Sequence, residues 1–157
     1  MKTTGKWVRL LVGALCLVGF QVGALAEDRA SKEEAKALVD AAVKHVKEVG
    51  PDQAFKDFTV DKVNWSKKDL YVFAYNMKGD CTANGGNDKF VGKNLLDLKD
   101  QNGKPLVKEF IQTASTSGQG WVEYEWPHPQ TKKVEGKATY VQKLANYDGL
   151  VGVGAYR

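Results

Sequence analysis

The chain has 157 residues, 23 Lys+Arg and 19 Asp+Glu, for a formal charge of +4. Three of those cations, Lys2, Lys6 and Arg9, fall in residues 1–26, which hold no acid, so residues 27–157 carry 20 basic against 19 acidic side chains. A near-neutral body of this kind excludes nucleic-acid binding through a concentrated basic face, and 131 residues are enough for one domain and one core.

Residues 1–26 read as a secretory leader. Lys2, Lys6 and Arg9 form a positive start and Leu10–Phe20 an uncharged apolar run. Ala24-Leu25-Ala26 supplies the small residues a signal peptidase needs, with cleavage expected after Ala26. The run is shorter than the ~20 apolar residues of a spanning helix. Leu15 before Cys16 argues against a lipoprotein. The expected location is periplasmic or secreted, with residues 27–157 as one domain. Cys16 leaves with the leader and Cys81 stays alone, so an intramolecular disulfide is excluded.

Residues 31–49 predict a helix, opened by a Ser31/Glu34 capping box. One apolar stripe runs along it through Ala35, Leu38, Val39, Ala42, Val43, Val46 and Val49, and Gly50-Pro51 ends it. His45 lies between stripe and charged face and is expected to be solvated. "PDQAFKDF" predicts a short second helix, with Ala54, Phe55 and Phe58 inward. "DLYVFAYN" (69–76) predicts a strand covered on both faces, Leu70, Val72 and Ala74 on one side and Tyr71, Phe73 and Tyr75 on the other. "KGD" turns the chain and "CTA" starts the return strand.

"NGGNDKFVGKN" reads as a loop without the spacing of a phosphate loop, and "LKDQNGK" as a turn. Residues 105–115 predict a helix on Leu106, Val107, Phe110, Ile111 and Ala114. Three strands follow, 120–126, about 134–145 and 150–156. In the first, Val122, Tyr124 and Trp126 share the side expected to meet core or cavity. Glu123 and Glu125 share the side of solvent and lysines, and this division leaves Trp121 unexplained. The order and the hairpin-length connections predict an α+β fold with an antiparallel sheet of about five strands.

Catalytic and metal signatures are absent. His45 and His128 have no HxxxH or CxxC partner, no G-x-S-x-G elbow occurs, and no CxxCH would attach haem. Cys81 reads as a small buried hydrophobe. The expectation is a non-enzymatic protein without a cofactor.

The ordered blocks "DLYVFAYNMKGD", "VGKNLLDLKDQNGKPLVKEFI", "GQGWVEYEWPHPQTKKVEGKATYV" and "GLVGVGAYR" resemble the single Cache domain, in its second common type, from about Glu33 to Tyr156. The resemblance implies a PAS-like antiparallel sheet behind a long N-terminal helix. It implies an extracytoplasmic sensor of small organic acids such as acetate, propionate, pyruvate or lactate. It also implies a membrane receptor or histidine kinase as partner and a homodimer through the N-terminal helix. Two departures stand out. Asn84 follows Ala83 where the family often has His, and Val153 stands where close relatives often have Cys, which leaves Cys81 without that partner.

The family pattern points to Lys137 and Tyr124 as carboxylate contacts, a cation and a phenolic donor suited to an anion in an apolar cavity. Trp126 is then a wall, Thr139 an added hydroxyl, and Tyr71 and Phe73 further lining. His128, in the "PHP" turn, is expected to be exposed. The alternative open at this point is a structural or interaction protein that keeps the fold without a ligand and uses its N-terminal helix as partner surface.

Overall fold

The computed structural model describes residues 29–157; the leader and its cleavage site lie outside them. Helix α1 (Lys32–Val49) begins at the expected box: the Ser31 hydroxyl accepts from the Glu34 N–H, and the Glu34 carboxylate accepts from the Ser31 N–H. Its stripe is buried except for Val49. Gly50 ends α1 and Pro51 opens α2 (Pro51–Val60). A one-turn α3 (Lys62–Trp65), which the sequence does not predict, leads into the two-residue strand β1 (Ser66–Lys67).

Strand β2 (Leu70–Asn76) turns through Gly79 into β3 (Cys81–Asn84). A single 3-10 turn at Asp88–Phe90 and an irregular stretch carry the chain to α4 (Leu106–Ser117). Gly118 caps α4 in the left-handed region at φ 75, where a residue without a Cβ is at ease. Strands β4 (Gln119–Pro127), β5 (Val134–Lys143) and β6 (Gly149–Tyr156) follow as a meander.

The sheet is antiparallel throughout, in the order β1-β2-β6-β5-β4, with β3 also on β2. The last strand therefore sits in the middle. It is buried along its whole length, which accounts for a continuous "GLVGVGAY" in place of alternation. One face packs on α1 and α2: Leu70, Val72, Ala74, Tyr140, Val151 and Val153 meet Val39, Val46 and Phe58. The other packs on α4: Phe73, Tyr75, Val122, Tyr124, Val141 and Leu150 meet Leu106, Val107 and Phe110. The two predicted faces of β2 fall on these two cores.

The structure corrects three expectations. His45 is half-buried; its Nε2 pairs with the Asp57 carboxylate at 2.8 Å and its ring packs 4.8 Å from Trp65. That contact joins α1 to α2 and, with Gln53, holds the Asp57 carboxyl below its usual range. His128 is also buried, 1% exposed, because the chain after Pro127 folds back over β6. Val153 faces α1 while Cys81 lies in the α4 core. A cysteine at 153 would therefore stand on the wrong face of the sheet to pair with Cys81.

Trp121 now has a place. It packs against Tyr140 at 5.1 Å beneath the Lys32 ammonium, 5.3 Å above its ring, a cation–π contact tying α1 to the edge strand. Glu123 and Glu125, on the same side of β4, both meet cations. Glu123 meets Lys32 at 3.4 Å and Arg157 at 3.2 Å, and Glu125 meets Arg157 at 3.9 Å.

The open side of β4 is covered by side chains. Lys104 donates to the Glu123 carbonyl at 2.7 Å, and Asp100 accepts from the Glu125 N–H at 3.1 Å. The turn thus stands in for a neighbouring strand. Burial works against the Asp100 charge, but N–H groups of Lys104, Glu125 and Asn102 outweigh it and lower its pKa. A lowered carboxyl adds stability above its unfolded pKa of about 3.9 and loses it as pH falls through the folded value. Asp100→Ala is expected to cost ~1–3 kcal/mol at neutral pH. In urea titrations its midpoint should approach that of wild type as the pH is lowered through the folded pKa.

Candidate functional site

Between the α4 face of the sheet, α4 itself and the stretch from Asn84 to Leu98 lies a cavity of ≈ 220 Å3. That is about seven times the ~30 Å3 a water occupies in the liquid. The sheet contributes Tyr71, Phe73, Tyr75, Tyr124 and Trp126. Helix α4 contributes Leu106, Val107 and Phe110, and Asn84, Phe90 and Leu98 come from the connection before it. The Pro127–Pro129 turn and Lys132 complete the wall.

Strand register explains the site. Counted across the sheet, Thr139 pairs with Gly154 and with Val122, and Lys137 pairs with Tyr156 and with Tyr124. Val72 pairs with Val153, which puts Tyr71 level with Gly154. A Cβ on Gly154 would run into Lys137 Cε and Thr139 Oγ1. The missing side chain is the lane through which Lys137 crosses β6 to reach Tyr71. Gly152 does the same for the Phe73 ring, which a Cβ there would meet at 2.5 Å. The two glycines of "GVGAY" follow from these two neighbours.

Lys137 is 1% exposed. Its ammonium donates to Tyr71 Oη at 2.8 Å and Tyr156 Oη at 3.3 Å, and lies 4.1 Å and 4.6 Å from the centres of those two rings. Among the described residues no carboxylate lies within ion-pair distance of it. A buried ammonium held only by phenols retains a cost of several kcal/mol that a carboxylate would offset.

The nearby buried acid is committed elsewhere. Asp69, 1% exposed, accepts from the Ala30 N–H at 2.9 Å and faces His128 Nε2 at 3.4 Å. His128 Nδ1 accepts from the Gln130 and Thr131 N–H groups, each at 3.3 Å. That places the imidazole proton on Nε2, which lies near Asp69 Oδ2 without forming a hydrogen bond to it. The Tyr156 ring covers His128 at 4.6 Å, and Tyr156 Oη donates to the Pro127 carbonyl at 2.8 Å.

Burial holds three of the phenols, Tyr75, Tyr124 and Tyr156, in the protonated form. Burial and then Tyr71 push Tyr124 well above its ordinary value, against the Thr139 hydrogen bond. Burial likewise raises Tyr75 and Tyr156. Burial pushes the Cys81 thiol up to about 11, which keeps it unreactive at neutral pH. The cavity therefore offers phenol O–H groups beside apolar rings, with Asn84, His128 and Lys132 also in the wall and the Lys132 ammonium donating to the Pro129 carbonyl.

Of the six residues expected at the site, Tyr71, Phe73, Tyr124 and Trp126 line the cavity. Lys137 and Thr139 stand one layer back, Lys137 on the Tyr71 hydroxyl and Thr139 on the Tyr124 hydroxyl at 2.8 Å. The sequence reading missed Tyr75, Phe110 and His128 in the wall and Tyr156 behind it. Tyr75 and Phe110 carried a signal, as members of apolar rows already assigned to the interior. Asn84, the departure from the family's His, is in the wall; its side-chain carbonyl caps the Gly86 and Asn87 N–H groups.

A sequence model of the single Cache domain 2 family matches residues 21–157. The sensor histidine kinase MctS of Rhizobium johnstonii is 34% identical over 89 residues, 57% of this chain and 19% of that protein. The methyl-accepting chemotaxis protein McpP of Pseudomonas putida is 24% identical over 88 residues, 56% of this chain and 16% of that protein. The chain thus spans less than a fifth of these relatives' length. A methyl-accepting chemotaxis protein from Vibrio parahaemolyticus superposes with a TM-score of 0.68 at 29% identity, covering 80% of this chain and 87% of that one. A Cache chemosensory domain solved for its carboxylic acid recognition superposes with a TM-score of 0.67 at 21% identity, covering 79% and 91%; at that identity it shows the fold.

Gly154→Ala tests the lane across β6. Overpacking at this position is expected to cost ~1–3 kcal/mol, read as a lower thermal midpoint. A crystal structure of the variant should show the Lys137 ammonium displaced from Tyr71.

Proposed function

The chain belongs to the single Cache domain family, and on that premise we propose that it binds a small organic acid, such as a C2–C4 carboxylate, outside the cytoplasm. The observation that carries this is the Lys137 ammonium, buried without a carboxylate and joined to a cavity-lining phenol. An anion in the cavity supplies the missing opposite charge, while Phe73, Phe110 and Trp126 take its carbon chain. Relatives of this chain are chemoreceptors and a sensor histidine kinase. A membrane receptor or kinase is accordingly the partner class we assign to the exported domain. The placement outside the cytoplasm rests on the leader over residues 1–26, with cleavage after Ala26.

The ligand-free interaction protein is less well supported. The outward side of α1 carries its own i,i+4 pairs, Lys36–Asp40 and Lys44–Glu48, which satisfy these charges without a partner. An unfilled cavity beside a buried cation is also a poor core for a protein with no ligand to place there.

A thermal-shift series on residues 27–157 with acetate, propionate, pyruvate and lactate tests the proposal. At least one acid should raise the melting temperature of wild type, and raise that of Lys137→Met by less. No shift with any of the four would count against the carboxylate, and an equal shift in the variant would count against Lys137.

A further inference from the structure

We infer that Lys137 does not touch the ligand but acts through Tyr71, whose hydroxyl makes the contact. The inference rests on the carboxylate reading above and deepens it. Tyr71 lines the cavity and Lys137 does not. The lysine is 1% exposed, and its ammonium reaches outward only as far as the oxygens of Tyr71 and Tyr156. The Tyr71 ring, its centre 4.1 Å from the ammonium, is itself part of the cavity wall.

The direction of the hydrogen bond gives the arrangement its effect. An ammonium has donors and no lone pair, so Tyr71 Oη accepts from Lys137, and its own hydrogen can turn to the neighbouring Tyr156 hydroxyl or to a ligand oxygen. The Tyr156 oxygen is already engaged, accepting from Lys137 and donating to the Pro127 carbonyl. A phenol that accepts from a cation is polarised and becomes a stronger donor. The carboxylate oxygen therefore meets an O–H with a positive charge held behind it. Tyr124 supplies a second phenol on the cavity wall, backed by the neutral Thr139 hydroxyl at 2.8 Å. The cation is a positioning and polarising residue, and Tyr71 is the one that recognises the ligand.

Such a site discriminates acid from neutral isostere only modestly. A direct ammonium–carboxylate contact would reject an uncharged amide steeply, whereas a phenol serves either acceptor and only the charge behind it favours the anion. Propionate and propionamide are the probes, titrated calorimetrically against residues 27–157, Tyr71→Phe and Lys137→Met. Thermal midpoints confirm folding, and Lys137→Gln serves if the methionine variant is unstable.

Wild type should prefer propionate by about tenfold, and Tyr71→Phe should weaken both probes by about tenfold or more, the scale of one hydrogen bond in a charged site. Lys137→Met should bring the ratio of the two affinities close to one while propionamide binding stays within about threefold. A lysine that merely props the fold would lower both affinities and leave their ratio intact, which overturns the inference. So does a Tyr71→Phe variant that keeps propionate affinity while Lys137→Met loses it, because the ammonium would then be the contact. Equal wild-type affinity for the two probes overturns it as well, since the buried charge would have no effect. If wild type binds neither probe but one of the other three acids shifts its melting temperature, that acid and its amide take their place; if none of the four does, the carboxylate reading falls and the inference with it.

Discussion

Everything in this fold depends on β6 pairing on both sides. Strands β1, β2 and β3 form one half of the sheet and β4 and β5 the other; only β6 joins them, through Val72–Asn76 on one flank and Lys137–Lys143 on the other. Because it is central it is buried on both faces, and because it must let side chains pass it is rich in glycine. Its α1 side contributes Val151, Val153 and Ala155 to one core. Its opposite side contributes Gly152, Gly154 and Tyr156, two gaps and a phenol, to the neighbourhood of the cavity. Packing and recognition are thus divided between alternate residues of one eight-residue segment.

The polar end of the cavity is built in layers. Phenols face the interior space, and behind them stand one ammonium and one hydroxyl. Farther back, Asp69 accepts from the Ala30 N–H, lies 3.4 Å from His128 Nε2 and has no contact with Lys137. The two buried side chains of opposite charge type therefore make no direct contact. This leaves Lys137 an electrostatic source for whatever enters, at the expense of some stability.

Much of this was legible in the sequence because periodicity carries it. The 3.6-residue stripe of α1, the two-faced rows of β2 and the split of Val122, Tyr124 and Trp126 from Glu123 and Glu125 all survive in the structure. The failures share a physical cause. His45 and His128 lay outside any apolar row and were read as solvated; each is buried by an element distant in sequence, α2 and Trp65 for one, β6 for the other. Lys137 was placed at the site, but its direction depends on a gap at Gly154, seventeen positions away, and no local pattern reports that. Trp121 was opaque for the same reason, since its partner Lys32 is on α1.

The central place of the final strand has a kinetic side. A chain emerging from its N-terminus can form α1, α2 and the β2–β3 hairpin early, and later α4 and the β4–β5 hairpin. Neither half has a closed core until residues 149–156 insert between them. The pairings that close the sheet join residues far apart in sequence, Val72 with Val153 among them, and contacts of that span are slow to form because loop closure precedes any gain. Until then the two halves present bare strand edges and apolar faces, the surfaces most prone to aggregation. The eight residues that make the molecule whole thus also set the length of time for which it is vulnerable.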